Sequence, residues 1–342
     1  PERLEISCSG NIIKNVKGVK VPNTGGLKGI CAAGLAGIVA GDPDRGLEVL
    51  EAVQPSDHHE IRRLLTAGIC SVSLAEGVEN LYIFARVNEG EDRAEVRIEH
   101  SHLNIVYTAR NGEPVDRTSA IGDLKEMSEP REFISTDQSD QRVGLLDIKS
   151  ILEFAREVEI SELETILSAQ IEMNTAISDE GLAQPYGADV GKTLLKHRGR
   201  DLRTRAVARP AAGSDARMSG CSLPVVINSG SGNQGLTVSL PVIEYAQELG
   251  STREGLLRAL VLSNLIAIHQ KSLIGKLSAF CGAVSAASAC GAGIAFLRGG
   301  SYKQICDTIT NTLANVGGIV CDGAKPSCAA KIAAAVDAAV LA

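Results

Sequence analysis

The sequence predicts an α+β fold: an N-terminal antiparallel sheet with helices, followed by a mostly α-helical domain rich in small residues. Up to about residue 117, apolar residues alternate along short runs, which is the period of a strand. Beyond that point they recur three and four residues apart, which is the period of a helix. Glycine and alanine are abundant and aromatic residues make up only 3%, a composition typical of closely packed helices. We therefore expect an α+β domain over residues 1–117 and an all-α domain over residues 118–342.

The first domain is expected to begin with a strand over residues 4–8. A strand and a Pro-Asn-Thr-Gly-Gly turn follow from residue 18, and then a Gly/Ala-rich helix and a shorter helix. The two helices are predicted over residues 27–39 and 44–52. Further strands are predicted over residues 69–74, 81–87, 94–98 and 105–109. Asn111 and Gly112 form a pair typical of a tight hairpin turn.

The second domain is expected to consist almost entirely of helices, without heptads or a repeat of fixed period. A glycine-rich loop after Arg217 interrupts them. The helices are predicted over residues 121–127, 145–157, 161–177, 187–196, 239–249, 254–271, 273–297, 301–315 and 327–342.

Composition and charge exclude several classes of protein. The formal net charge of −7 argues against a nucleic-acid partner, which calls for a clustered basic face. Nine scattered cysteines without a signal peptide favour a reducing cytoplasm over a secreted disulfide framework. Residues 277–297 carry no charge and are long enough to span a bilayer, but they are mostly Ala, Ser, Gly and Cys. A buried helix is the expected structure there, and no membrane partner is predicted.

Three cysteines near the C-terminus are candidates for a metal centre. A predicted helix carries Cys281, and a loop with Gly and Pro carries Cys321 and Cys328. Thiolates gathered without an oxidising context favour zinc or an iron–sulfur cluster. The spacing differs from that of ferredoxins and zinc ribbons, and the alternative is that each cysteine is a buried small hydrophobe.

The glycine-rich loop and an arginine before it are candidates for binding a small anion. Several backbone N–H groups are exposed by Ser229, Gly230, Ser231, Gly232, Asn233 and Gln234, ahead of a helix expected to open near Thr237. No Walker lysine accompanies the loop, so it can also be a plain connector. Arg217 can clamp a carboxylate through its planar guanidinium. The alternative for Arg217 is a salt bridge to Asp215.

His102 lies between two predicted strands, where a rigid sheet can present a general base. Asn11, Lys14 and Asn15 cluster after the first strand and can bind a small polar acid, although such residues are also ordinary in loops. The other histidines are expected to be structural or solvated: His58 and His59 in an acidic loop, His100 on the exposed face of the sheet and His269 in a core helix.

Taken together, these residues resemble the L-cysteine desulfidase family, which is related to the iron–sulfur L-serine dehydratases. The similarity runs in family order over essentially the whole chain, and the Ser-Gly-Ser-Gly-Asn-Gln-Gly and Cys-Asp-Gly-Ala motifs are specific to it. The matching segments are residues 9–15, 22–29, 101–106, 214–218, 228–235, 321–324 and 327–328.

The resemblance implies that Cys281, Cys321 and Cys328 hold a [4Fe–4S] cluster in which one iron lacks a protein thiolate. That iron would act as a Lewis acid on the substrate. The implied reaction releases sulfide from L-cysteine and leaves pyruvate and ammonia.

The resemblance also implies roles for the remaining candidates. His102 would be a base or a substrate ligand, and Arg217 would clamp the substrate carboxylate. Asn233 and the loop over residues 230–235 would be further anchors. L-serine deamination by the same route is the nearest alternative.

The chain departs from the family pattern at both ends. Family members carry a Gly-Cys-Thr-Glu-Pro motif before the first strand and continue into further helices, whereas this sequence starts at Pro1 and stops at Ala342. It is therefore expected to be truncated. A catalytically silent amino-acid-binding homologue and a structural zinc protein are further hypotheses, and a homodimer is expected from the small-residue helices.

Overall fold

The computed structural model describes residues 1–115, 146–275 and 278–342. The chain divides into two compact units. Unit 1 comprises Pro1–Ser139 and Asp322–Ala324, and unit 2 comprises Asp140–Cys321 and Lys325–Ala342. The predicted boundary between residues 117 and 118 and the predicted helix over residues 121–127 lie outside the described residues.

Unit 1 is built on a six-stranded sheet in the order β2-β1-β3-β4-β5-β6. The strands are β1 (Arg3–Cys8), β2 (Cys70–Leu74), β3 (Tyr82–Glu89), β4 (Asp92–Glu99), β5 (Ile105–Arg110) and β6 (Glu113–Pro114). The α+β class is confirmed, but the sheet is mixed and not purely antiparallel, because β1 pairs in parallel with β2. A parallel pair needs a long crossover, and the helical connection from β1 to β2 supplies it.

The crossover carries the helices of unit 1. They are α1 (Gly10–Val16), α2 (Ile30–Ala40) and α3 (His58–Thr66), with 3₁₀ turns over Pro43–Glu48 and Pro55–Asp57. Helix α2 packs on the buried face of β1: a Cβ at Gly34 would lie 3.0 Å from the Leu4 side chain. Leu4 and Leu35 are buried there. The burial of alternate β1 residues follows from the two-residue period of a strand.

Several local predictions for unit 1 were wrong. The predicted strand over residues 18–22 is only an isolated bridge between Lys20 and Lys28. The helix predicted over residues 44–52 is the 3₁₀ turn, and α1 and α3 were not predicted. The hairpin prediction is confirmed, because Asn111 and Gly112 both have positive φ, at 54° and 88°, as a type I′ turn requires.

Unit 2 is helical in its described residues. Its helices are α4 (Ile148–Glu157), α5 (Glu164–Ala183), α6 (Val190–Arg198), α7 (Leu202–Met218), α8 (Gly232–Glu248), α9 (Arg253–Ile274), α10 (Gly282–Leu297), α11 (Tyr302–Val316) and α12 (Cys328–Leu341). A 3₁₀ turn over Ile160–Glu162 precedes α5.

Small residues let the central helices of unit 2 approach closely. Helix α8 is buried along nearly its whole length, and α10 is composed mostly of Ala, Gly, Ser and Cys. A Cβ at Gly293 of α10 would lie 3.2 Å from the Ala259 carbonyl of α9. The predicted small-residue helical packing is therefore confirmed. No helix in the described ranges combines the length and apolar content that crossing a membrane requires.

The helix boundaries differ from prediction where they matter for the candidate site. Helix α7 was not predicted, and α8 begins at Gly232 and not near Thr237. The predicted helix over residues 273–297 is broken, so that Cys281 immediately precedes α10 and does not lie within a helix. Cys328 was placed both in the loop with Cys321 and in the helix predicted over residues 327–342, and it is the first residue of α12, as the helix prediction had it.

Candidate functional site in unit 2

Three cysteines converge in unit 2. Segments 279–281 and 319–321 pair as a short antiparallel bridge, in which the Cys321 N–H donates to the Ala279 carbonyl at 2.7 Å. Burial raises the pKa of Cys281, and the neighbouring Cys321 and Cys328 thiols raise it further. Cys281 therefore lies within electrostatic range of both other thiols. The described residues, which include all nine cysteines, form no disulfide bond.

Cysteine thiolates are ligands in two kinds of metal centre, a zinc ion and an iron–sulfur cluster. Among the described residues, no three His, Cys, Asp or Glu side chains are arranged to hold one metal ion. A tetrahedral zinc ion with bonds of about 2.3 Å would need its sulfur ligands about 3.8 Å apart. In an iron–sulfur cluster each thiolate binds a different iron, so the ligand sulfurs stand farther apart. Three soft, interacting thiols fit that donor set.

Arg217 lies in the last turn of α7, near the Cys328 thiol. Burial lowers the pKa of its guanidinium, and the charge of Cys328 partly opposes that shift. No acceptor or carboxylate pairs with the Arg217 side chain anywhere in the described chain. The alternative salt bridge to Asp215 does not form, because the Asp215 carboxylate accepts the backbone N–H of Val190 at 2.7 Å. Arg217 is thus a half-buried cation that has no counter-ion within the described ranges of the chain.

The first residue of α8 approaches this guanidinium closely. A Cβ at Gly232 would lie 2.4 Å from Arg217 Nε and 2.7 Å from a Val225 methyl group, so any larger residue would displace these side chains. The N-terminus of a helix carries partial positive charge. A positive side chain and the positive end of a helix therefore lie side by side, and no carboxylate among the described residues pairs with the guanidinium.

The loop before α8 is a tight turn and not an open cradle. Asn228 and Ser231 exchange two backbone hydrogen bonds, at 3.1 and 3.0 Å. Ser229 and Gly230 between them have positive φ, at 48° and 77°, and are exposed. The Ser231 side chain caps α8 by accepting the Gln234 N–H. Because Ser229 and Gly230 are exposed at the tip of the turn, Gly232 and the residues after it are the better candidates for binding an anion.

Asn233 and Gln234 add two buried acceptors at the start of α8. They are 6% and 3% exposed. Neither Asn233 Oδ1 nor Gln234 Oε1 has a hydrogen-bond partner among the described residues. The Gln234 amide lies against the start of α10, 2.8 Å from where a Cβ of Gly282 would be. Buried carbonyl oxygens normally have a donor, so these two are suited to a ligand that brings one.

A buried amide on α5 and a half-buried amide on α9 support this loop, and sequence reasoning missed them. Asn174 Oδ1 accepts the Val226 N–H at 2.9 Å, and Asn174 Nδ2 donates to Ser239 Oγ at 3.1 Å. Asn228 Nδ2 donates to Asn264 Oδ1 at 3.0 Å. Such contacts fix the backbone that leads into α8. A polar residue in an otherwise apolar helical stripe was the only signal for Asn174.

The remaining candidates lie in unit 1. His102 is exposed in the turn between β4 and β5, as expected, and partial desolvation lowers its pKa below the ordinary value. The imidazole is therefore mostly neutral at neutral pH and able to accept a proton.

Asn11, Lys14 and Asn15 share one face of α1, since they are three and four residues apart. The Asn11 amide donates to Asn80 Oδ1 at 3.0 Å. A Cβ at Gly323 would lie 2.1 Å from the Lys14 carbonyl, so the Cys-Asp-Gly-Ala motif needs glycine at this position. The three residues are thus helical and not in a loop.

The turn before α2 is fastened by α3. His58 Nε2 donates to the Asn23 carbonyl at 2.8 Å, and Arg62 donates to the Gly25 carbonyl at 3.4 Å. His58 was expected to be solvated in a loop, but it lies on a helix and makes this contact. Thr24 is fully buried and donates to the Val21 carbonyl.

The fold and the site define a two-unit α+β protein whose helical unit contains three neighbouring thiols and an arginine, Arg217, that no carboxylate pairs with among the described residues. Residues 44–342 match the family model described as serine dehydratase alpha chain. The chain therefore belongs to the serine dehydratase alpha chain family. Membership supports a lyase role in amino-acid catabolism, and this family is typically associated with iron–sulfur clusters.

Similar proteins span the whole chain. A UPF0597 protein of Lachnoclostridium phytofermentans is 52% identical over 100% of this chain and 79% of its own length. A UPF0597 protein of Desulfitobacterium hafniense is 50% identical over 100% of this chain and 76% of its own. A third, from Treponema denticola, is 45% identical over 99% and 78%. No solved structure matches the chain significantly.

Proposed function

We propose that this protein is an iron–sulfur-dependent lyase that converts L-cysteine and water to sulfide, ammonia and pyruvate. The observation that carries the proposal is the unpaired Arg217 guanidinium, held against the α8 N-terminus and beside the Cys328 thiol. This arrangement suits a small carboxylate bound next to a thiol-ligated centre. The family supports a lyase role in general, and L-cysteine as the substrate is our inference.

The site in unit 2 suits an α-amino acid as a zwitterion. Arg217 and the free N–H groups at the start of α8 would bind the carboxylate. The orphan Asn233 Oδ1 and Gln234 Oε1 would accept hydrogen bonds from the ammonium group. A ligand with both charges completes every unpartnered group at the start of α8, whereas a simple carboxylic acid leaves two buried oxygens without donors.

Cys281, Cys321 and Cys328 would hold the cluster. When bound, such a cluster supplies a Lewis-acidic iron with an affinity for sulfur. Arg217 would orient the substrate, and the buried start of α8 would exclude water from it. We propose His102 as the base that accepts the Cα proton, because its neutral form predominates at neutral pH.

Asn11, Lys14 and Asn15 in unit 1 are proposed as further ligands of the polar acid, because they share one face of α1. We propose an indirect role for Ser229, Gly230 and Ser231: they form the turn that positions Gly232. We also propose a cytoplasmic location and a homodimer.

L-serine is the second candidate substrate, and the family description favours it. Water would leave in place of sulfide, and the contacts to carboxylate and ammonium would be the same. Soft sulfur suits iron better than a hydroxyl does, which is why we place L-cysteine first.

The test compares products from both amino acids, using protein prepared and reconstituted without oxygen. Equal yields of sulfide and pyruvate from L-cysteine, exceeding the pyruvate from L-serine, would support the proposal. Faster pyruvate release from L-serine would make the protein a serine dehydratase. No pyruvate from either amino acid, in protein that carries its full iron, would refute a lyase activity.

A further inference from the structure

Two thiols meet in unit 1, away from the site described above. Cys31 is the second residue of α2, and Cys70 is the first residue of β2. The Cys31 thiol donates to the Cys70 carbonyl, with a sulfur-to-oxygen distance of 3.6 Å. Both cysteines are half-buried, so a small reagent can reach them from solvent.

The packing of α2 on the sheet independently places the two side chains together. Gly34 lies one turn after Cys31 on the same face of α2, and that face covers Leu4 of β1. In the parallel ladder Leu4 pairs with Cys70, so their side chains share one face of the sheet. Cys31 and Cys70 therefore project into the same helix–sheet interface.

The two thiols differ in reactivity. Burial raises the pKa of Cys70, and its hydrogen bond with the Cys31 thiol raises it further. Cys70 thus keeps its proton at neutral pH, and Cys31 is the thiol that can react first. Because Cys70 is held against Cys31, it is positioned to attack the Cys31 sulfur in the second step of an exchange reaction, once it has lost its proton.

The other cysteine described in unit 1 is not part of the pair. Cys8 is on the same face of β1 as Leu4, but four residues further along, which is about 13 Å. It is 1% exposed, and burial raises its pKa to about 11. Cys8 is therefore an internal control for thiol reactivity in this unit.

We propose that Cys31 and Cys70 form a thiol–disulfide exchange site that takes a low-molecular-weight disulfide as its co-reactant. The Cys31 thiolate attacks one sulfur of the small disulfide, forming a mixed disulfide and releasing one small thiolate. Cys70 then loses its proton to solvent and attacks the Cys31 sulfur, and the second small thiolate leaves. Two protein thiols are oxidised, and one small disulfide is reduced to two thiols.

The resulting bond would join the first turn of α2 to the edge strand β2. Helix α2 begins at Ile30, directly after the Thr24–Gly29 turn, and its N-cap residue Gly29 has a φ of 88°. Exchange would therefore tie that turn to the sheet when small disulfides accumulate and release it when they are reduced.

The test uses the full chain, purified under reducing conditions without oxygen and then incubated with oxidised glutathione. Remaining thiols are blocked, and the protein is digested after Lys and Arg without reduction. This cleavage puts Cys8, Cys31 and Cys70 on separate peptides, residues 4–14, 29–45 and 64–86. We expect the cross-link between 29–45 and 64–86 to exceed any link to 4–14 by at least about ten-fold. Absence of that cross-link, or an equal yield of links to Cys8, would overturn the proposal.

Two variants test the order of the steps. Cys70→Ser should retain glutathione on Cys31, because the resolving thiol is gone. Cys31→Ser should leave Cys70 without glutathione. Glutathione on Cys70 in Cys31→Ser, at the rate seen for Cys31 in Cys70→Ser, would show that the two thiols act independently and would contradict the site. Cys8→Ser should cross-link as the wild type does.

Discussion

At the scale of single residues, Arg217 is the most informative side chain of unit 2. It is half-buried and has no counter-ion among the described residues, whereas Arg205 and Arg209 on the same helix both pair with the buried Glu244. An unpaired cation costs stability, since burial removes water and nothing replaces it. A bound anion would offset this cost, and on that ground we propose that Arg217 binds a ligand, whereas Arg205 and Arg209 stabilise the fold.

Arg217→Met should therefore separate binding from stability. We expect the affinity for L-serine, measured by calorimetry at equal iron content, to fall about 10- to 100-fold with the loss of charge-assisted hydrogen bonds. The melting temperature should stay the same or rise. Arg209→Met is the matched control on α7 and should lower the melting temperature while leaving affinity unchanged. Unaltered affinity in Arg217→Met would remove Arg217 from the substrate site.

The residue types that do chemistry were predictable, and their contacts were not. The affinity of thiolates for soft metals led to the prediction of a metal centre at Cys281, Cys321 and Cys328. The planar guanidinium of Arg217 led to the prediction of a carboxylate clamp. The close contact between Gly232 and the guanidinium depends on how α7 packs against α8. A glycine-rich stretch of sequence does not reveal that packing. The orphan oxygens of Asn233 and Gln234 are likewise visible only once their surroundings are folded.

At the scale of elements, the start of α8 is positioned by the extended segment before it. Asn174 of α5 bonds both the N–H and the carbonyl of Val226, at 2.9 and 3.4 Å, as a neighbouring strand would. A Cβ at Gly235 would lie 2.0 Å from the same carbonyl, so helix and segment are in close contact. Helix α5 thereby sets where Gly232 meets Arg217.

Asn174→Ala should consequently destabilise the protein. It leaves the Val226 N–H and the Ser239 hydroxyl without the partner that Asn174 provided, at a cost of about 2–4 kcal/mol in the free energy of unfolding. Urea unfolding followed by circular dichroism would measure it. Asn311→Ala, an exposed asparagine on α11, should change the same free energy by less than about 0.5 kcal/mol. Equal effects of the two substitutions would mean that Asn174 does not fasten the segment.

The cap of α7 gives a prediction about pH. Asp201 accepts the Thr204 N–H at 2.9 Å, and hydrogen bonds from Thr204 lower the pKa of the Asp201 carboxyl. A lowered folded-state pKa contributes stability above the unfolded value of about 3.9, and this stability is lost as pH falls through the folded pKa. The melting-temperature advantage of wild type over Asp201→Asn should shrink between about pH 5 and about pH 3. An advantage that stays constant over this range would contradict a titrating cap.

Elements with strong periodicity were predictable, and those defined by tertiary contacts were not. The strands of unit 1 and the long helices α9 and α11 follow their apolar patterns closely. Helix α7 was missed because it contains Pro210 and because most of its own buried residues are small or polar. Such residues form no apolar stripe in the sequence. Helix α1 was missed because it is short and depends on the Ser9 cap.

At the scale of the whole molecule, the two units carry different parts of the proposed chemistry. Unit 2 holds the three thiols and Arg217, and unit 1 holds His102 and the polar face of α1. The α+β class followed from the change in hydrophobic period. The parallel β1–β2 pair did not, because residue periodicity within a strand carries no information about its neighbour's direction.

The central claim is that Cys281, Cys321 and Cys328 hold an iron–sulfur cluster, and metal analysis tests it most directly. Iron and acid-labile sulfide are measured in protein prepared and reconstituted without oxygen, beside Cys321→Ser and the matched control Cys306→Ser, a half-buried cysteine on α11. We predict about four irons and four sulfides per chain in wild type and control, the content of one [4Fe–4S] cluster, and loss of most of both in Cys321→Ser. Zinc in place of iron, no iron at all, or a full complement in Cys321→Ser would contradict the account.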